Sequence, residues 1–176
     1  VFYMKTCVPT VKILLLLLLT TSLASCVGYH FNGTTPHHIS TVKLAPIINQ
    51  TDEPAIERQV TRAMRSFIQF DGRLKLVDHD QADAKIEITL KAYQNNPIAY
   101  RSEDREVAPR FYRQSITATA RLINLSTGQL LQEATNHGEA LFEFESDLST
   151  SKRNTQAEAA NELARLLFSD LIETWQ

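Results

Sequence analysis

Apolar and polar positions divide the chain into segments of different period. From Ile13 to Leu19 every side chain is aliphatic, and Lys12 is the one polar residue in the stretch that opens at Val11. Beyond it the pattern is that of a folded domain. Thr41 to Ile48 reads as a strand, with Pro46 marking an edge or an end. Asn49 to Asp52 reads as a turn that caps a helix, with Pro54 in the first helical turn, where its missing N–H costs little. Ile56, Val60, Ala63, Met64 and Phe67 then recur every three or four residues, which predicts a helix from about Glu53 to Phe70, closed by Asp71-Gly72. Leu74 to Val77 is a short strand, followed by an acidic turn from Asp78 to Asp83.

The next segment changes period. Ala84, Ile86, Ile88, Leu90 and Ala92 alternate with Lys85, Glu87, Thr89 and Lys91, the mark of a half-buried antiparallel strand. Gln94 to Arg110, with Pro97 and Pro109, reads as a polar connection. Phe111 to Leu125 alternates again, Ser126-Thr127-Gly128 makes a hairpin turn, and Gln129 to about Phe144 returns as the partner, long enough to project beyond a core. Thr155-Gln156-Ala157-Glu158 has capping-box spacing and predicts the start of the last helix. Its apolar face is Ala160, Leu163, Ala164, Leu167, Leu171 and Trp175. No internal repeat is visible. The expected fold is α+β, with two helices packed on one face of a mainly antiparallel sheet of four to five strands. Strand order stays open.

The aliphatic block near the start is too short to cross a bilayer, which takes ~20 apolar residues. With Lys5 and Lys12 before it and small residues after it, it reads as a secretory signal beginning at Met4. Leu23-Ala24-Ser25-Cys26 then supplies a bacterial lipobox: an aliphatic residue, two small ones and a cysteine. Cleavage is expected between Ser25 and Cys26, and acyl chains such as palmitate on Cys26. Each buried methylene contributes ~0.8 kcal/mol, so two or more chains anchor stably. The residue after the cysteine is Val27, not Asp, which favours the outer membrane over the inner. The expected organisation is therefore a lipoprotein signal peptide over 1–25, a lipidated tether rich in turn residues over 26–40, and one α+β domain over 41–176.

Charge and chemistry narrow the functions. The whole chain carries net −2, and losing Lys5 and Lys12 leaves the mature part at −4. Nucleic-acid binding calls for a basic surface, so it is not expected. Cys7 lies in the signal, so the mature chain has no disulfide. No phosphate loop, nucleophile elbow or His-Glu-x-x-His appears, and neither an enzyme nor a cofactor is expected. His37-His38 lacks further ligands, and Asp78, Asp80 and Asp83 lack the glycine and closing glutamate of a calcium loop, so no metal site is expected. Arg101, Arg105, Arg110 and Arg113 stand beside Tyr100, Phe111 and Tyr112. Arginine binds phosphate bidentately, and the aromatics suit acyl chains or sugar rings. Glu103, Asp104 and Glu106 interleave with them, so a solvated loop with local ion pairs is the other reading.

Cys26 to Phe31, Val42 to Thr51, Glu53-Pro54, Gln81 to Ala84, Ser126 to Leu131, and Ala159-Ala160 with Trp175 follow one another in an order that resembles the LptE family of lipopolysaccharide-assembly lipoproteins. Cys26-Val27-Gly28-Tyr29-His30-Phe31 is similar to the family's mature start. Val42 to Thr51 resembles its first strand and Asn-x-Thr turn, and Glu53-Pro54 its helix start. Gln81-Ala82-Asp83-Ala84 resembles the opening of its next strand, and Ser126-Thr127-Gly128-Gln129-Leu130-Leu131 its Thr-Gly hairpin. Ala159-Ala160 and Trp175 fit its last helix. The resemblance implies a protein that plugs the lumen of an LptD-type outer-membrane β-barrel, helps that barrel to fold and takes part in placing lipopolysaccharide in the outer leaflet, where it could contact lipopolysaccharide directly. The segment from Arg101 to Glu106 departs from the pattern, so the resemblance transfers no ligand contact to the arginines. The competing reading is an auxiliary substrate-binding lipoprotein of an envelope lipid transporter, which calls for a deep apolar groove.

Overall fold

The computed structural model describes residues 39–79, 81–103, 106–143 and 148–173, and side chains within them except those of 100–108 and 148–150. The chain runs β1 (Thr41–Leu44), β2 (Ile48–Asn49), α1 (Ile56–Asp71), β3 (Lys75–Leu76), β4 (Ala84–Glu103), β5 (Glu106–Asn124), β6 (Leu130–Glu143) and α2 (Leu148–Glu173). The sheet order is β3-β1-β4-β5-β6, with β2 also on β4.

The class is α+β as expected, but the sheet has six strands and is mixed. β1 pairs in parallel with both β3 and β4, and β2 in parallel with β4. β4, β5 and β6 form the antiparallel part. The reason lies in connectivity. A helix between two strands permits them to return in parallel, and α1 is that crossover between β1 and β3. The strand expected over 41–48 is divided because Pro46 has no N–H to give to the ladder. Pairing resumes at Ile48 opposite Thr89.

One face of the sheet holds the core. Ala84, Ile86, Ile88 and Leu90 of β4, Ile116, Ala118, Ala120 and Leu122 of β5, and Ala134, Ala140 and Phe142 of β6 are all buried. Both helices lie on that face. Ile56, Val60, Ala63, Met64 and Ile68 of α1 and Leu163, Leu167, Phe168 and Leu171 of α2 complete the cluster. Burying each large aliphatic or aromatic side chain contributes ~1.5–3 kcal/mol. The other face carries solvent-facing polar pairs: Glu87 with Lys85 along one strand (2.6 Å), and across strands Arg121 with Glu133 (3.3 Å) and Thr119 with Thr135 (2.9 Å).

Small residues set the distance between α2 and the sheet. A Cβ built on Gly138 of β6 would run into the backbone oxygen of Ala159 and the backbone nitrogen of Leu163, and would lie 2.7 Å from Leu163 Cβ. The helix backbone therefore rests directly on the strand. At the far ends of both helices Arg73 joins Asp71 (2.7 Å) to Glu173 (3.2 Å), with its guanidinium 5.5 Å from the centre of the Phe168 ring.

Both helix starts differ from expectation. Asn49 does not cap α1. Its Oδ1 accepts from Thr51 N (2.9 Å) and Oγ1 (2.8 Å), while its Nδ2 donates to Glu53 O (2.9 Å). It builds the Asn-x-Thr turn instead. The N-cap position is Ala55, at φ 62° and without a side-chain cap. The capping box at Thr155 is absent too. α2 begins at Leu148, and Thr155 Oγ1 donates back to Ser151 O (2.9 Å) within the helix. Contacts made by Lys152 and Gln156 account for the extra turns.

The acidic turn has a structural task. Asp83 Oδ2 accepts from the N–H and hydroxyl of both Ser40 and Thr41, at 2.8–2.9 Å. Those donors, the Ser40 N–H foremost, hold its carboxyl at about 2, below its ordinary 3.8. The clasp pins the start of β1 to the start of β4.

Candidate functional site

The expected polar connection from Gln94 to Arg110 is strand throughout. β4 and β5 remain paired as far as Glu103 opposite Glu106. β2 accompanies β4 only to Leu90, and β6 accompanies β5 only from Phe111. Among the described residues the rungs beyond Ala99 thus form a two-stranded arm with no third strand. Pro97 is tolerated because β4 has lost its β1–β2 neighbour there, and register shifts flank Ala99. The projecting hairpin is this one, not the hairpin closed at Gly128, whose β5 and β6 are covered by α2.

Two of the four arginines singled out in the sequence are described in full. Arg110 Nε donates to Glu143 Oε1 at 2.6 Å and its guanidinium lies 5.2 Å from the centre of the Phe111 ring. Arg113 Nε lies 3.6 Å from Glu139 Oε2. Both turn toward carboxylates of β6. Beside them Tyr112 stacks on Phe142, ring centres 5.2 Å apart. Arg101 sits on the arm opposite Ala108; its side chain, Arg105, Asp80 and Trp175 lie outside the described residues, as do Ser25, Cys26, the signal and the tether through His38.

A second polar cluster joins elements distant in sequence. The register shift between Leu90 and Ala92 turns Tyr93 toward the helices, opposite Ile116. Tyr93 OH accepts from Gln114 Nε2 (2.9 Å) and Asn95 Nδ2 (3.2 Å), and lies 3.4 Å from Gln156 Nε2. Gln114 is fully buried. Above this layer Glu53, only 15% exposed, takes Lys152 Nζ at 2.6 Å and Gln156 Nε2 at 2.7 Å. The Lys152 ammonium lies 5.2 Å from the Tyr93 ring centre. Burial works against its charge, but the Glu53 hydrogen bond, with the charges of Tyr93 and Glu53, leaves its pKa above the ordinary lysine value.

Glu53, Lys152 and Gln156 line a cleft of about 480 Å³ together with Arg58, Arg62 and Arg153. Four cations face a single carboxylate. Arg62 reaches Gln59 at 3.3 Å; the side chains of Arg58 and Arg153 have no hydrogen bond or ion pair among the described residues. Such a site suits a phosphate or another anion, through charge-assisted hydrogen bonds. Sequence reading missed it because Arg58 and Arg153 stand 95 positions apart. A partial signal was present: Gln114 interrupts the apolar stripe that continues through Ile116, Ala118, Ala120 and Leu122. Among the described residues no group of three His, Cys, Asp or Glu side chains could hold a metal ion, and no helix is long and apolar enough to cross a membrane.

Comparison with known proteins adds a lineage. The family model LptE, described as lipopolysaccharide-assembly, matches residues 39–174. Among curated protein sequences none matches the chain. Among solved structures, protein XCC0632 from Xanthomonas campestris is similar over 78% of this chain and 86% of its own, at TM-score 0.54 and 12% identity. PelC from Paraburkholderia phytofirmans, solved as a dodecamer, is similar over 76% and 89%, at TM-score 0.52 and 14% identity. At such identities the likeness is one of fold.

Proposed function

Because this chain belongs to the LptE family of lipopolysaccharide-assembly proteins, we propose that it is an outer-membrane lipoprotein, anchored through Cys26, that partners an LptD-type β-barrel as its plug and assembly factor. The family is one of assembly proteins rather than enzymes. The observation that carries the reading is the order of features along the chain: a lipobox at Leu23 to Cys26, a short polar tether, then the family's domain from residue 39.

The geometry supports it. A plug meets a water-filled lumen, whose wall is polar. The open face of the sheet is a lattice of solvent-facing ion pairs and hydroxyls, with Arg121 lying between Glu87 and Glu133. Such a face tolerates contact with a polar wall. The phosphates of lipopolysaccharide would be met by Arg101, Arg105, Arg110 and Arg113 on and beside the arm, and by Arg58, Lys152 and Arg153 of the cleft. The carboxylates now paired with Arg110 and Arg113 are exposed, and ion pairs of that kind contribute only ~0–1 kcal/mol, so a phosphate can replace them. The competing reading, an accessory that carries a lipid in a deep apolar groove, finds less support, since the charged cleft would disfavour acyl chains.

The test is copurification from outer membranes. A tagged full chain should bring down an LptD-type barrel under mild detergent. Cys26→Ala should remain unacylated, keep its signal segment and lose the barrel. Recovery of the wild-type chain without such a barrel, in a preparation where other envelope complexes survive, would rule the partnership out.

A further inference from the structure

Glu53 occupies the place an incoming anion would take. It is the one carboxylate on the cleft wall, it is largely buried, and both of its oxygens are engaged, one by Lys152 and the other by Gln156. The guanidinium groups of Arg58 and Arg153, by contrast, stand without a partner among the described residues. Among the described residues the cations are therefore divided: Lys152 is held by an internal anion, and the side chains of Arg58 and Arg153 are left open.

We propose that Glu53 is an internal counter-anion, which withholds Lys152 from weakly charged ligands and yields it to a phosphate group. This rests on the reading of the cleft as a phosphate-binding site. Because Glu53 is tethered beside Lys152, it competes at a high effective concentration. A ligand carboxylate offers the same single charge and gains nothing by exchange. A phosphate monoester carries up to two charges and three acceptor oxygens, so it can bridge Lys152 to the guanidinium groups of Arg58 and Arg153. Gln156 still donates to Glu53 after the exchange, which keeps the displaced carboxylate satisfied. The layer below, Tyr93 with Gln114 and Asn95, forms the floor beneath Lys152.

The experiment measures binding of purified lipopolysaccharide, intact and phosphatase-treated, to the full chain in detergent by titration calorimetry. Glu53→Gln keeps a partner for Gln156 and removes the competing charge. It should tighten binding of intact lipopolysaccharide by about two- to fivefold, the range for a partly screened charge pair, and leave the dephosphorylated form unchanged. Glu53→Asp, which keeps the charge but withdraws it by one methylene, should give a smaller gain and guards against a folding defect in the first variant. Arg58→Ala with Arg153→Ala should weaken binding. If both Glu53 variants bind intact lipopolysaccharide no tighter than wild type while the arginine pair weakens it, the counter-anion role is overturned and the cleft stands. If the arginine pair has no effect, the cleft reading fails and takes this inference with it. Equal tightening toward dephosphorylated lipopolysaccharide would also overturn it.

Discussion

Asp83 shows how much one residue can organise. Its carboxylate gathers four donors from Ser40 and Thr41 and so ties two strands whose sequence positions differ by more than forty. Its pKa is lower in the folded state, about 2, than its ordinary 3.8. A carboxyl depressed in this way contributes stability that is complete above pH 4 and is lost as pH falls through 2. Asp83→Asn should therefore cost about 1 kcal/mol near neutrality, the scale of exposed charge-assisted hydrogen bonds. It should also flatten the dependence of stability on pH between 4 and 2. Urea denaturation across that range reads both, and an unchanged acid limb in the variant would refute the clasp. In the sequence this aspartate was visible as part of an acidic turn, weighed and set aside as a calcium loop, and of a family resemblance. Its partners lie too far away in the chain for any local pattern to reveal them. Ala55 is the converse case, a non-glycine residue at φ 62°, a conformation that costs ~1–2 kcal/mol. The turn fixed by Asn49 and the anchoring of Glu53 on α2 hold it there.

At the level of elements, periodicity succeeded wherever burial was one-sided. The stripes of α1, β4, β5 and α2 named from spacing reach the core, except that the register shift after Leu90 puts Tyr93 there in place of Ala92, and Trp175 lies outside the described residues. It failed at element ends, where the outcome depends on partners. Thr155 has the spacing of a cap, yet the helix runs on ahead of it because Lys152 and Gln156 gain contacts with Glu53 as helical residues. The close seat of α2 on β6 gives the sharpest prediction here. Gly138→Ala places a methyl against backbone atoms of Ala159 and Leu163, so the helix must move outward. The expected loss is about 2–3 kcal/mol, the upper part of the range for overpacking. Adding Ala159→Gly should not rescue it, since Ala159 collides through its main-chain oxygen and Leu163 through its nitrogen and Cβ. Denaturation midpoints of the single and double variants decide this, and a rescue would mean that side chains, not backbone, set the spacing.

For the whole molecule, the division of labour is between a compact body and an arm. Core residues on β4 and β5 end near Tyr93 and Ile116, while the strands continue for several rungs as a ribbon. Joining Ala99 to Phe111 by an Asn-Gly turn should leave the melting temperature within about 2 °C, because the removed rungs carry none of the described core. If the arm serves the assembly proposed above, the same variant should lose binding to lipopolysaccharide or to the barrel. A shortened chain that melts far below wild type would show the arm to be part of the folding unit instead.

The amino-acid sequence by itself determined the class of fold, the apolar faces of both helices and of the long strands, and the arginine-rich stretch between them. Those follow from period and composition, which are local quantities. Only tertiary structure decided that three pairings are parallel, that the polar segment from Gln94 to Arg110 is a paired ribbon, and that Arg58 and Arg153 face one cleft. Each of these depends on which partner supplies a hydrogen bond or a charge across a large sequence separation. A backbone N–H in an isolated polar segment is satisfied equally by water or by a neighbouring strand, and only the folded chain brings the strand.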